Sequence, residues 1–113
     1  MVTIETARQL ALAFDEAVEL PHFDLTSFRV RKKIFATMDI KKKRVCLMLS
    51  PVDQSVFSTY NKSIIYPVPN KWGLKGATYV ELQKVKKGIL KDALKVAYCT
   101  VAPKILSEKY KSK

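Results

Sequence analysis

Between Thr3 and Val18 the apolar positions Ala7, Leu10, Ala11, Phe14 and Val18 recur every three to four residues, while Glu5, Arg8, Asp15 and Glu19 fall elsewhere. This spacing predicts an amphipathic helix, capped by the Thr3 hydroxyl and ended at Leu20-Pro21. The period then changes. Phe28 and Val30 alternate with Arg29 and Arg31, and Ile34, Ala36 and Met38 alternate with Phe35 and Thr37. Period two is the mark of half-buried strands, so a hairpin is expected with its turn at Arg31-Lys32-Lys33, which lacks the preferred Asn-Gly or Gly pair and would strain Lys32 if left-handed. A second turn, Asp39 to Lys43, leads into a strand in which Val45, Leu47 and Leu49 share a face. Residues 27–49 thus read as a three-stranded meander.

Ser50-Pro51-Val52-Asp53 is a helix start: a capping serine, proline at the first helical position and an acid in the first turn. Val52, Val56, Phe57 and Tyr60 supply the apolar stripe expected to face inward. A short strand follows over Ile64 to Val68, then a turn bracketed by Gly73 and Gly76, then a strand over Ala77 to Leu82. A last helix is predicted from Lys86 to Ala102, with Ile89, Leu90, Ala93, Leu94, Ala97 and Val101 inward and Pro103 as its stop. SEKYKSK, residues 107–113, reads as a basic, frayed tail. The order α-β-β-β-α-β-β-α implies an α+β domain, residues 1–106, in two layers, with an antiparallel sheet and helices packed mainly on one face.

Composition sharpens this picture. With 113 residues and 48% hydrophobic content, the chain suits one domain with its own core. Charge is uneven. Met1 to Asp24 holds five acids against Arg8, whereas Leu25 to Lys113 holds 20 basic and 5 acidic residues. The resulting positive field predicts a polyanionic partner, nucleic acid ahead of anionic membrane; the plain alternative is charge that only maintains solubility. No run reaches the ~20 apolar residues of a membrane span. The first residues lack the basic start and apolar block of a secretory signal, so a cytoplasmic location is expected.

Four stretches in order, HFDLTSFRVRKKIFATMD, RVCLMLSPVDQ, YPVPNKWGLKGATYVELQKV and LKDALKVAYCTVAPKIL, resemble the MmcQ/YjbR family of small bacterial proteins. The likeness covers residues 1–106. It implies a compact YjbR-like α+β domain and a DNA-binding label that rests on fold and charge, and it brings no catalytic residues. Many relatives carry glycine near the turn that Lys32 occupies here.

The candidate binding residues follow from charge and position. Arg29, Arg31, Lys32, Lys33, Lys41, Lys42, Lys43 and Arg44 fall on strand faces or turn tips, where they can reach phosphates while the apolar faces stay in the core. The competing reading is that such lysines protect strand edges from aggregation. Arg29 and Arg31 would form a ladder if their face is open, and would pair with acids such as Asp39 if a helix covers it. Lys71, Trp72 and Lys75 form a second cluster, either a stacking platform for a base or a sugar, or a site where Trp72 is a core or lid residue. Lys84, Lys87, Lys91 and Lys95 share one face of the last helix, and Lys86-Lys87-Gly88 at its start is a candidate phosphate site.

Enzymatic readings find little to rest on. His22, Asp24 and Ser27 have triad chemistry but lie in one short loop. Cys46 and Cys99 have no neighbouring histidine, and their apolar surroundings suggest reduced, buried thiols. There is no Walker loop, dinucleotide fingerprint or metal-ligand spacing, and no cofactor is expected. Taken together, these features predict a non-catalytic monomer that binds double-stranded DNA through largely non-specific phosphate contacts. The alternative is an adaptor-like module for an acidic protein partner.

Overall fold

Thr3 caps the first helix as expected, its hydroxyl accepting from the Thr6 N–H at 3.1 Å. In the computed structural model, which describes residues 1–110, this helix (α1, Ile4–Leu12) is shorter than its periodicity suggests. Glu16 takes a left-handed conformation, φ 61°, which a continuing helix does not permit. Ala17–His22 then forms an extra strand, β1, paired antiparallel with β2, Leu25–Val30. Pro21 is tolerated there because β1 is an edge strand with one unpaired side. The helix expected through Val18 is therefore a helix followed by a strand.

The next two strands, β3 (Lys33–Asp39) and β4 (Arg44–Met48), complete a four-stranded meander. Arg31 and Lys32 both have positive φ, 48° and 72°, which gives the primed two-residue turn that matches strand twist without its preferred glycine. The register skips Phe35, so Phe35 and Ala36 both reach the core through a bulge.

Ser50 caps helix α2 (Pro51–Ser58), accepting from the Asp53 N–H at 3.1 Å. Its apolar stripe does not face inward. Val52 is 73% and Val56 62% exposed, Tyr60 is also exposed, and only Phe57 packs against the core. The Gln54 amide donates to the Gly73 carbonyl at 2.8 Å and the Ala77 carbonyl at 3.0 Å, which turns the Gln54/Phe57 side of α2 inward. Strand β5 (Ile65–Pro67) and strand β6 (Ala77–Glu81) flank a one-turn helix, α3 (Lys71–Leu74), where a simple turn was expected. Gly73 is required in α3 because a Cβ would stand 1.8 Å from the Val68 carbonyl oxygen.

Helix α4 (Lys87–Val101) buries Leu90, Ala93, Leu94, Ala97 and Tyr98, with Ile89 and Val101 at the margin. Pro103 ends it, and a short helix α5 (Lys104–Ser107) and a 3-10 turn (Glu108–Tyr110) follow. The first part of the expected tail is thus folded: Ser107 is buried, and Tyr110 packs edge-on against Phe14 and Tyr98. Residues 111–113 lie outside the described residues.

The architecture is α+β, a six-stranded antiparallel sheet in the order β1-β2-β3-β4-β6-β5. Helices α1 and α4 pack on the face that carries Phe28, Met38, Val45, Leu47 and Val80. The opposite face carries the intervening residues Ser27, Thr37, Cys46 and Tyr79, which align in one row across neighbouring strands. The Val68–Trp72 segment bends over part of it, lining a shared cavity with Thr37, Cys46 and Tyr79.

Candidate nucleic-acid interface

Strand β3 lies between the two basic turns. Its seven residues hold them roughly 20 Å apart, at opposite ends of the sheet. They therefore do not make one surface, although they are close in sequence.

At the end holding Arg31, Lys32 and Lys33, acids intervene. The Arg31 guanidinium donates to both oxygens of Glu16, at 2.9 and 3.0 Å. This pairing raises the arginine pKa and holds the Glu16 carboxyl below its ordinary value. Nearby in sequence, Lys109 Nζ meets Asp15 at 2.7 Å. Arg31 lies in the turn, so it forms no ladder with Arg29, and its partner is Glu16 rather than Asp39. Arg29 is on the open sheet face and half-buried, its Nε donating to Ser27 Oγ at 2.9 Å.

The other end is different. The Lys41–Lys43 turn is fixed by the Lys42 N–H, which donates to Asp39 Oδ1 at 3.0 Å, and Lys43 has φ 53°. The Leu82 N–H donates to the Lys43 carbonyl at 3.0 Å, which brings the β6–α4 connection, with Lys84, Lys86 and Lys87, alongside the turn. The Glu81 N–H donates to the Ile64 carbonyl at 2.9 Å, which sets Lys62 and Ser63 at the same end. Seven lysines from three separate segments therefore converge: Lys41, Lys42, Lys43, Lys62, Lys84, Lys86 and Lys87. All seven are exposed, and among the described residues none has a carboxylate within 4.0 Å.

Helix α4 starts at this same end. Its N-cap, Lys86, makes no side-chain cap bond, its first turn has no acid, and a Cβ on Gly88 would meet nothing within 4 Å. Repulsion among the lysines and the positive end of the helix dipole reinforce each other, and an incoming anion relieves both. Lys91 and Lys95 continue along α4, where Lys95 is half-buried beside Leu10 and Tyr110.

Arg44 does not sit at a turn tip. Its guanidinium carbon stands 3.8 Å over the Tyr79 ring on the open sheet face. Beside it the Tyr66 hydroxyl donates to the Glu81 carboxylate. Lys71, Trp72 and Lys75 lie on α3 and its C-cap, with Lys75 Nζ 5.2 Å from the Trp72 ring. Trp72 is 58% exposed, so it is neither a core residue nor fully covered. Of the triad types, Ser27 Oγ donates to the Leu20 carbonyl at 2.8 Å, and His22 packs edge-on against Phe23. Both cysteines are half-buried; burial pushes the Cys46 thiol up, away from the thiolate. No group of three or more His, Cys, Asp or Glu suited to a metal occurs among the described residues, and no helix among them is long and apolar enough to cross a membrane.

No family model matches the chain, and no curated protein matches it. The fold is shared with DR2400. That protein of Deinococcus radiodurans carries a DUF419 domain, and its crystal structure superposes with a TM-score of 0.78 at 21% identity. The match covers 96% of this chain and 88% of that one.

Lys62 is the addition that the sequence did not single out, and it arrives through the β5–β6 pairing, while register sets Lys84 and Lys86 of the last-helix cluster beside the Lys41–Lys43 turn. Counting along β4 and β6 from the Arg44↔Glu81 pair is the signal that would find them.

Proposed function

We propose that this chain is a cytoplasmic, monomeric nucleic-acid-binding protein, a member of the MmcQ/YjbR family, that grips the phosphates of double-stranded DNA with its lysine-rich end. The observation that carries the reading is the convergence of seven exposed lysines, Lys41, Lys42, Lys43, Lys62, Lys84, Lys86 and Lys87, which have no carboxylate within 4.0 Å among the described residues. The quoted sequence motifs and the fold shared with a DUF419 protein support the family placement. Lysine is a point charge on a flexible stem, suited to backbone contacts more than to base edges, so binding carries little sequence readout and requires no catalysis.

Fluorescence anisotropy with a labelled random duplex across a salt series tests this. Four or five phosphate contacts give a log-log slope of about −4, so affinity falls roughly 200-fold between about 50 and 200 mM salt. A flat salt dependence, or no binding at the lowest salt, overturns the reading. Docking of an acidic protein partner is the second reading, favoured by the exposed Val52 and Val56 on α2. It predicts no duplex binding at any salt and retention of a defined protein by the immobilised chain.

A further inference from the structure

A cavity of about 270 Å³ runs along the open face of the sheet, from Trp72 and Asn70 at one end to Asp39 and Arg44 at the other. Its floor includes Tyr79, with the Arg44 guanidinium over the ring. Among the described residues Arg44 has no carboxylate within 4.0 Å, and its Nε is buried without a hydrogen-bond partner. Asn70 Oδ1 accepts from the Trp72 N–H at 2.8 Å, which leaves the amide N–H groups as donors. Asp39 uses Oδ1 for the Lys42 N–H and keeps its second oxygen as an acceptor. The cavity therefore offers an exposed indole, a guanidinium stacked on a phenol ring, and a few directed donors and acceptors.

We propose that this trough takes one unpaired base of a nucleic-acid strand whose phosphates lie on the Lys41–Lys43 turn. The inference rests on the nucleic-acid reading above and extends it from backbone to base. Three observations carry it. The volume is just below the roughly 300–1,000 Å³ of drug-sized pockets, which suits a single base better than a large cofactor. Unpaired bases stack on aromatic rings and on arginine planes, and both kinds of surface line the trough. Asp39 and Arg44 at its mouth also pair across the base of the Lys41–Lys43 turn, so the base site and the phosphate site adjoin. A paired duplex keeps its bases stacked inside and cannot fill the trough, whereas a single strand or an unpaired position can.

Trp72 is the single tryptophan of the chain, so its fluorescence reports the trough directly. The titrants are an oligothymidylate of about ten nucleotides, within the usual site size, its ribonucleotide counterpart, an abasic strand of equal length and a blunt duplex. The thymidine or uridine strand quenches Trp72 and binds about 5- to 150-fold tighter than the abasic strand, the range set by one stacked base. The abasic strand and the duplex bind through the lysines without quenching. In anisotropy of end-labelled strands, Trp72→Ala brings the base-bearing strand down to the abasic level and leaves abasic binding unchanged; the wild-type quench does not need that variant to fold. Equal affinities for base-bearing and abasic strands, with Trp72 fluorescence unmoved, overturn the base site while the lysine surface stands. Failure of every strand to bind overturns both.

Discussion

Changing Lys41, Lys42 and Lys43 together to glutamate lowers duplex affinity about 100-fold, while changing Lys32 and Lys33 to glutamate lowers it by less than about fivefold. An exposed ion pair contributes roughly 0.2–1 kcal/mol, and reversal replaces it with a repulsion of similar size, so three positions sum to about 3 kcal/mol, or about two decades. The two turns carry similar local charge but sit in different fields. Lys41–Lys43 has Lys62, Lys84, Lys86 and Lys87 around it, whereas Lys32 and Lys33 follow an arginine already committed to Glu16. The Lys41–Lys43 substitutions leave the turn's own support in place, because Asp39 holds the backbone N–H of Lys42 and not its side chain. An unchanged melting temperature alongside the lost affinity separates the two effects. Equal losses from the two variants would remove the distinction between the ends of the sheet.

Tyr98→Ala destabilises the domain by about 3–5 kcal/mol, the range for deleting a large buried aromatic. Tyr98 is fully buried. Its ring stacks on Phe14 at 4.8 Å and meets Phe35 and Tyr110 edge-on at 5.5 and 5.3 Å, and its hydroxyl donates to the Asp15 carbonyl at 2.7 Å. One side chain thus ties α4 to β3, to the α1–β1 connection and to the C-terminal 3-10 turn. Against a total stability of roughly 5–15 kcal/mol, the loss lowers the melting temperature by about 15 °C or more. Tyr98→Phe keeps the rings and loses only the hydrogen bond, about 1 kcal/mol. Burial, with lesser contributions from Tyr110 and Asp15, pushes the Tyr98 phenol up to about 12. The unfolded chain ionises this group first, so its contribution is intact below pH ~10 and is lost as pH rises towards about 12. Tyr98→Phe removes that part of the alkaline loss. A pH-stability curve unchanged by the substitution would contradict the assignment.

Local chemistry was legible where it acts over a few residues. Thr3 and Ser50 cap the helices that their positions predict, Pro103 ends α4, and Leu90, Ala93, Leu94 and Ala97 are buried as a period of 3.6 predicts, whereas Tyr98 is buried without having been among the expected inward residues. The misreadings come from periods that two structures share. Ala7 to Val18 fits a helix throughout, yet the left-handed Glu16 and the vacant edge of β2 turn Ala17–His22 into a strand. On α2 the valines looked like the buried stripe, but the bonds from Gln54 to Gly73 and Ala77 decide which side packs. Neither partner is near Gln54 in sequence.

The candidate site divides in the same way. Residues 28–44 hold eight basic side chains, but the strand between the turns sends them to opposite ends, and Arg31 and Arg44 are drawn to Glu16 and Tyr79. The lysines that complete the surface, Lys62, Lys84, Lys86 and Lys87, lie some 20 to 45 positions further on and arrive through the pairing of β4, β5 and β6. The sequence leaves Trp72 open between a stacking platform and a core or lid residue, and its relation to Arg44 and Tyr79 exists only once α3 leans over the open sheet face.

Amide chemical-shift mapping of the labelled protein, titrated with a short duplex at low salt, tests the lysine-end assignment most directly. The account predicts shifts confined to residues 40–43, 62–63 and 83–88, around the turn, the start of β5 and the start of α4. Shifts centred on residues 31–33, or on the exposed face of α2 over residues 52–60, would contradict it.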